Sequence, residues 1–214
     1  MEAYRRIKQF MAPEEIRHFN DLIQQKAILF TETAGRGTLG PLYRVIDGDQ
    51  IRSQMSEIEA CGDQRVRPAA EQFAGEPLRP MVFSKRSMGV LLYEKKHHGF
   101  RWHFDGHSYA ALLCLKNTNR GQTHVISPRL SQFLRFLFYP LYAVPKVFSI
   151  MPYKEITMEQ GDLLIIRGGR ALHRGVTLDE KGERLLIVYT FDELDKKPNP
   201  LRELRDKIAR ALNY

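Results

Sequence analysis

The sequence predicts an α+β fold, in which an antiparallel β roll carries a layer of helices on its outside. Three observations predict it. Helical periodicity dominates the first 80 residues. From Phe83 onward the texture changes to short apolar runs broken by Gly, Asn, Asp and Pro, which read as strands. Those runs recur at near-regular spacing, as in a sandwich or small barrel-like roll, and helical periodicity returns only at the C-terminus.

At 214 residues the chain suits one core with an accessory helical layer better than two domains. Hydrophobic content of 43% and charged content of 27% exclude a disordered or low-complexity protein. Residues 1–80 are expected to form mainly helical support. "APEEIRHFNDLIQQKAILF" places Pro13 at the first helical position, Glu14 and Glu15 in the first turn, and Ile16, Phe19 and Leu22 on one stripe. "TETAGRGTLGPLY" reads as a loop, and helical character resumes over "DGDQIRSQMSEIEACGDQRVRPAAEQFAG", with Gly62 and Pro68 as expected interruptions.

Residues 81–192 are expected to form the β core, through "FSKRSMGVLLYE", "YAALLCLKN", "GQTHVISP", "EITMEQGDLLIIRGG" and "ERLLIVYTFDE". An insert over 128–148 interrupts them. Its aromatic-rich part, residues 131–146, is broken by Pro140 and is too short to span a bilayer. It reads as a helix buried on the core, a lid, a dimer contact or a lipid-facing surface. Residues 193–214 close the chain with a helix whose stripe is Leu201, Leu204, Ile208 and Leu212.

The net charge of +8 comes from scattered basic residues, which argues against a nucleic-acid partner. Cys61 and Cys114 stand 53 apart and suggest neither a disulfide framework nor a zinc site. "MEAYRRIKQF" carries charges where a signal peptide would be apolar, so the expectation is a soluble, cytoplasmic protein.

The chemistry concentrates in "RWHFDGH" and "RALHRGV". A non-haem iron centre for oxygen chemistry wants two imidazoles and one carboxylate on one face, with the opposite face open. His103 and Asp105 would share a strand face if "RWHFD" is extended, and His173, seventy residues on, would bring the third ligand from a distant strand. A His-x-Asp alone arises by chance in about one chain in three of this size. Arg184, eleven residues past His173, strengthens it, because a charged side chain opening "LLIVYTF" points inward only to meet an anion.

With these residues in step, the segment from about Val82 to Phe191 resembles the double-stranded β-helix (jelly-roll or cupin-like) core of the iron(II)- and 2-oxoglutarate-dependent oxygenases. Tyr93 stands ten residues before His103, as in the prolyl-hydroxylase-like branch, and the step to Arg184 is similar to that of the phytanoyl-CoA and ectoine hydroxylases. The resemblance implies that His103, Asp105 and His173 hold iron(II), that Arg184 clasps the distal carboxylate of 2-oxoglutarate, and that Tyr93 adds a hydroxyl donor. It further implies O2 as oxidant and ascorbate as an auxiliary reductant. Leu186 departs from the pattern, since many members carry Ser or Thr there.

The implied activity is hydroxylation of an unactivated carbon of a small molecule. Asp105 favours this over halogenation, because the related halogenases replace that carboxylate with Gly or Ala to make room for chloride. Arg101, Arg167, Arg170 and Arg174 beside the ligand segments hint at an anionic substrate such as an amino acid or another carboxylate. The alternatives are a peptidyl or prolyl hydroxylase and, from another class, a metal-holding module that contacts nucleic acid or anionic lipid. His107 and His124 are further candidates to line the pocket, His18, His97 and His98 are expected in solvent, and Trp102 should face away from the metal.

Overall fold

The computed structural model describes residues 2–33, 43–94, 99–118, 121–134, 150–176 and 182–195. Two antiparallel sheets face each other, and helices cover the outer side of the larger one. The major sheet has eight strands. β1 (Tyr4–Ile7), β10 (Leu163–Ile166), β7 (Tyr109–Asn117), β12 (Arg184–Glu193), β5 (Met88–Tyr93), β3 (Arg44–Asp47) and β2 (Thr31–Glu32) follow one another, while β4 (Leu78–Pro80) joins the far end of β12. The minor sheet runs β6 (Phe100–His103), β11 (His173–Gly175), β8 (Gln122–Ile126), β9 (Tyr153–Thr157). This is the double-stranded β-helix expected from the sequence.

The central strands read as unbroken apolar runs because both of their faces are buried. On β12, Leu185, Ile187, Tyr189 and Phe191 point to the helices, and Leu186 and Val188 point into the roll. On β7, Leu113 and Leu115 take the helical side, and Leu112 and Cys114 the inner one. Ile187 stands opposite Val90 of β5 and Leu113 of β7, and all three are fully buried, which marks the centre of the sheet.

Helix α1 (Pro13–Gln25) begins where expected, with Pro13 in its first turn and the Glu15 carboxylate accepting from Ala12 N at 2.9 Å. It buries Ile16, Phe19 and Ile23 on one face, each contributing about 1.5–3 kcal/mol. His18, on the opposite face, pairs with Glu57 at 2.6 Å. Beyond α2 (Gly48–Gln54) and α3 (Ser56–Cys61), the chain does not break at Gly62 or Pro68. A π-helical turn over Gly62–Val66 carries it directly into α4 (Arg67–Ala74), with Pro68 in the first turn of that helix. Gly62 serves a close approach: a Cβ there would lie 2.4 Å from the Tyr189 ring, whose hydroxyl donates to Ile58 O at 2.8 Å.

Beside its helices, the region 1–80 also supplies four short strands, β1 to β4, which the sequence reading did not name. They are two to four residues long, too short for an apolar period to register. β1 is held at the edge by Asp162, whose carboxylate accepts from Arg6 Nε at 2.7 Å and from Gln9 N at 3.1 Å. Residues 128–134 begin the expected insert as a helix, and 135–149 lie outside the described residues, as do 196–214 of the expected C-terminal helix. Cys61 and Cys114 are buried free thiols, as expected. No helix among the described residues is long and apolar enough to cross a membrane.

Candidate metal centre

β6 ends at His103 and β11 begins at His173, and the two are register partners, with ring centroids 4.2 Å apart. A bulge in this pairing puts Phe100 opposite Gly175 and lays its ring 3.9 Å from that of His103. Each imidazole is keyed by a backbone carbonyl two residues earlier: His103 Nδ1 meets Arg101 O at 2.6 Å, and His173 Nδ1 meets Ala171 O at 2.9 Å. A carbonyl only accepts, so each Nδ1 carries a proton, and the neutral form of each ring then offers its lone pair at Nε2. The Nε2 atoms face Asp105, that of His103 at 3.3 Å from Oδ1 and that of His173 at 3.5 Å from Oδ2.

Asp105 sits just past the end of β6 rather than within an extended strand, as the sequence reading supposed. Its N–H donates to Gly168 O at 2.9 Å, and this contact turns the carboxylate to the histidine side. One ligand atom from each of His103, Asp105 and His173 lies within 4.8 Å of the other two. The three side chains singled out from sequence therefore meet.

Electrostatics sets their protonation. Burial pushes His173 down to about 4, against the opposing pull of Asp105, so the ring is neutral near pH 7. Burial also works to raise Asp105, but His107, His173 and His103 outweigh it and hold the carboxyl well below the usual carboxylate range. Two Nε2 lone pairs and one carboxylate are the donor set a divalent first-row ion takes. The residues fit iron(II).

Arg184 lies deeper, 2% exposed, with its guanidinium beside Gly175, two residues beyond His173 on β11. Nη2 donates to Thr123 Oγ1 at 2.9 Å and Nη1 to Gln122 O at 3.3 Å, while among the described residues the buried Nε has no acceptor. Among the described residues it has no carboxylate partner. Glu183, the residue before it, pairs with Lys116 at 2.7 Å. Tyr93 is the register partner of Arg184 and is buried; desolvation raises its phenol and keeps it a hydroxyl donor.

Two contributors escaped the sequence reading. Thr123 supplies to the Arg184 guanidinium a hydroxyl from β8, whereas Leu186, at the position where a hydroxyl was missing, is packed inside the roll. Tyr43 packs between Tyr93 (5.5 Å) and Phe100 (5.8 Å), with its phenol pushed up to about 12 by burial, Arg86 offsetting and Asp105 adding to the rise. It ends the stretch read as a loop, where nothing local marks it.

Other expectations are corrected. Arg167 reaches the C-terminal carbonyl of α4 at Phe73 (3.1 Å) and lies over the Phe73 ring, and Arg170 approaches Glu193 at 3.5 Å. Arg174 stacks over Trp102 and meets His124 Nδ1 at 3.1 Å on the outer face of the minor sheet. These three are engaged elsewhere and no longer argue for an anionic substrate. His124 stands behind the centre, stacked on Tyr153 at 4.4 Å, whereas His107 does approach Asp105, at 3.1 Å from Oδ2. Trp102 faces outward into a cluster with Ile126, Leu134 and Leu172, as expected. His97 and His98 lie outside the described residues.

Solved structures share this architecture. The 2-oxoglutarate-dependent carbocyclase SnoK from nogalamycin biosynthesis superposes with a TM-score of 0.70 at 15% identity, over 93% of this chain and 83% of that one. AviO1 from Streptomyces viridochromogenes gives 0.68 at 15% identity, over 93% of both chains. HygX from Streptomyces hygroscopicus, with nickel, 2-oxoglutarate and hygromycin B bound, gives 0.66 at 13% identity, over 91% and 84%. The fold is thus that of iron- and 2-oxoglutarate-dependent oxygenases. No match is found among curated protein sequences. A family model described as HalD, Halogenase D, matches residues 5–209.

Proposed function

The chain belongs to the Halogenase D family, and from that premise and the geometry of the site we propose that it is an iron(II)- and 2-oxoglutarate-dependent dioxygenase that hydroxylates an unactivated carbon of a small molecule. The observation that carries this reading is Asp105: a carboxylate stands between the Nε2 atoms of His103 and His173, at the place a chloride would need.

His103, Asp105 and His173 would hold the iron. Bound iron and 2-oxoglutarate supply, with O2, the oxidising power for a C–H bond, and ascorbate serves as an auxiliary reductant. The chain's own residues position and exclude. Arg184 offers paired N–H groups to the distal carboxylate of the cosubstrate, and its lack of a carboxylate partner among the described residues supports that role. Tyr93, kept protonated by burial, donates a hydroxyl beside it. Leu186, Leu112 and Val188 wall the inner face, where they keep water from the reacting centre. A small-molecule substrate agrees with the hygromycin B bound in HygX.

Halogenation is the second reading, favoured by the family's description. Turnover of 2-oxoglutarate with iron(II) and O2, followed by mass analysis of products from a small-molecule panel with and without chloride, separates the two. Products heavier by one oxygen, whatever the chloride concentration, support hydroxylation. Chlorinated products refute it, and no consumption of 2-oxoglutarate refutes both.

A further inference from the structure

We propose that His107 is a positioning residue that takes one oxygen of Asp105 out of play, so that this carboxylate gives a single oxygen to the metal; the inference rests on the iron site proposed above. His107 Nε2 lies 3.1 Å from Asp105 Oδ2, both side chains are largely buried, and neither atom has a formed hydrogen bond among the described residues. A short rotation of either group completes one. On its other side Oδ2 is pressed against backbone, since a Cβ on Gly168 would come within 1.7 Å of it. Oδ2 is thus wedged between the His107 ring and a bare glycine, with His173 Nε2 at 3.5 Å, while Oδ1 is turned to His103 Nε2 at 3.3 Å.

His107 is itself no ligand of the cluster: its nitrogens fall outside the set of atoms lying within 4.8 Å of one another. Its place is nonetheless built. Ser108 N donates to Phe191 O at 3.1 Å and to Asp192 Oδ1 at 3.0 Å, Gly169 N donates to Ser108 O at 3.3 Å, and a Cβ on Gly169 would meet His107 O at 2.8 Å. The two glycines of "RGGR" therefore dock both the carboxylate and the His107 backbone.

The consequence is coordinative. The cosubstrate and O2 would need the positions that the three protein ligands leave open on a metal. A carboxylate that binds through both oxygens takes one of these. A donor on Oδ2 prevents that and also sets the angle at which Oδ1 is presented.

The test uses cobalt(II) alone as the probe, with wild type, His107→Leu, His107→Gln and His173→Ala, followed by the KM for 2-oxoglutarate in uncoupled turnover with iron(II). His107→Leu should weaken cobalt(II) binding by about tenfold to a hundredfold, alter the cobalt visible spectrum and raise the KM for 2-oxoglutarate more than it lowers kcat. His107→Gln, which keeps an N–H donor, should recover most of each. Gly168→Ala should mimic His107→Leu and carries the comparison if that variant fails to fold. Wild-type protein that holds no cobalt(II) overturns the iron site and this inference together. Unchanged affinity and spectrum in His107→Leu overturn the inference alone, as does a His107→Gln variant as defective as His173→Ala, which would make His107 a direct ligand.

Discussion

Replacing Arg184 by Met should make the metal-free protein more stable and, in the same step, blind to 2-oxoglutarate. The guanidinium is 2% exposed, lacks a carboxylate partner among the described residues and has an unsatisfied Nε. Replacing buried ionic groups by apolar side chains of similar volume ranges from neutral to a gain of about 4 kcal/mol, and a guanidinium with no carboxylate partner among the described residues belongs at the favourable end. Against this stand the lost bonds to Gln122 O and Thr123 Oγ1. Gln122 O keeps a second donor, Val176 N at 2.9 Å, and a threonine hydroxyl can rotate, so the penalty is about 1 kcal/mol. The melting temperature should rise by about 2–4 °C for each kcal/mol of net gain. Wild type at a hundred times the dissociation constant of 2-oxoglutarate gains about 2.7 kcal/mol, which is about 5–11 °C on the same scale. The variant should show no such gain, since losing one partner of a buried pair costs about 3–5 kcal/mol, two orders of magnitude or more in affinity. Thermal unfolding with cobalt(II) in place of iron, with and without 2-oxoglutarate, reads both quantities. A variant that melts below wild type and keeps the 2-oxoglutarate shift refutes the reasoning on both counts.

His173→Ala should abolish tight binding of iron(II) or cobalt(II), since two protein ligands seldom suffice; calorimetric titration checks it, and retained affinity rejects the triad. The metal-free protein should lose stability as pH falls from about 6.5 to about 4: the folded His173 is depressed to about 4 and its unfolded value is about 6.5, so the native state binds fewer protons across that window and the stabilisation is complete only above it. The full effect is about 3 kcal/mol, and His173→Leu should flatten the melting temperature against pH between those values; an unaltered slope counts against it. Gly62→Ala should cost about 1–3 kcal/mol by driving a methyl into the Tyr189 ring, read as a lower urea midpoint with unchanged slope, and a midpoint equal to wild type would show that the ring yields freely.

The core strands and the ligand set were legible because their signals are local or pairwise: an apolar run, a His-x-Asp, a distant His, a charged residue heading an apolar strand. What escaped depends on three-dimensional closure. β1 to β4 are two to four residues long and owe their conformation to pairing with longer strands. Thr123 and Arg184 lie 61 residues apart, and Tyr43 reaches Phe100 and Tyr93 only because β3 lies beside β5. The arginines flanking the ligands misled for the opposite reason: adjacency in sequence placed Arg174 next to His173, and strand alternation turned it to the other face. Gly62 looked like a break, although a glycine tolerated within a helix also marks where another element comes close.

Ile126 and Tyr153 face each other across β8 and β9, one rung from the pair formed by Val125 with His173. β8 thus ends and β9 begins at a single point of the minor sheet. That point is secured from within, by Ser131 Oγ donating to Ile126 O at 3.1 Å and accepting from Leu172 N at 2.9 Å. A connection anchored in this way can change in length while the ladder that carries His173 stays in register, since doubling its length adds only about 0.6 kcal/mol of closure entropy.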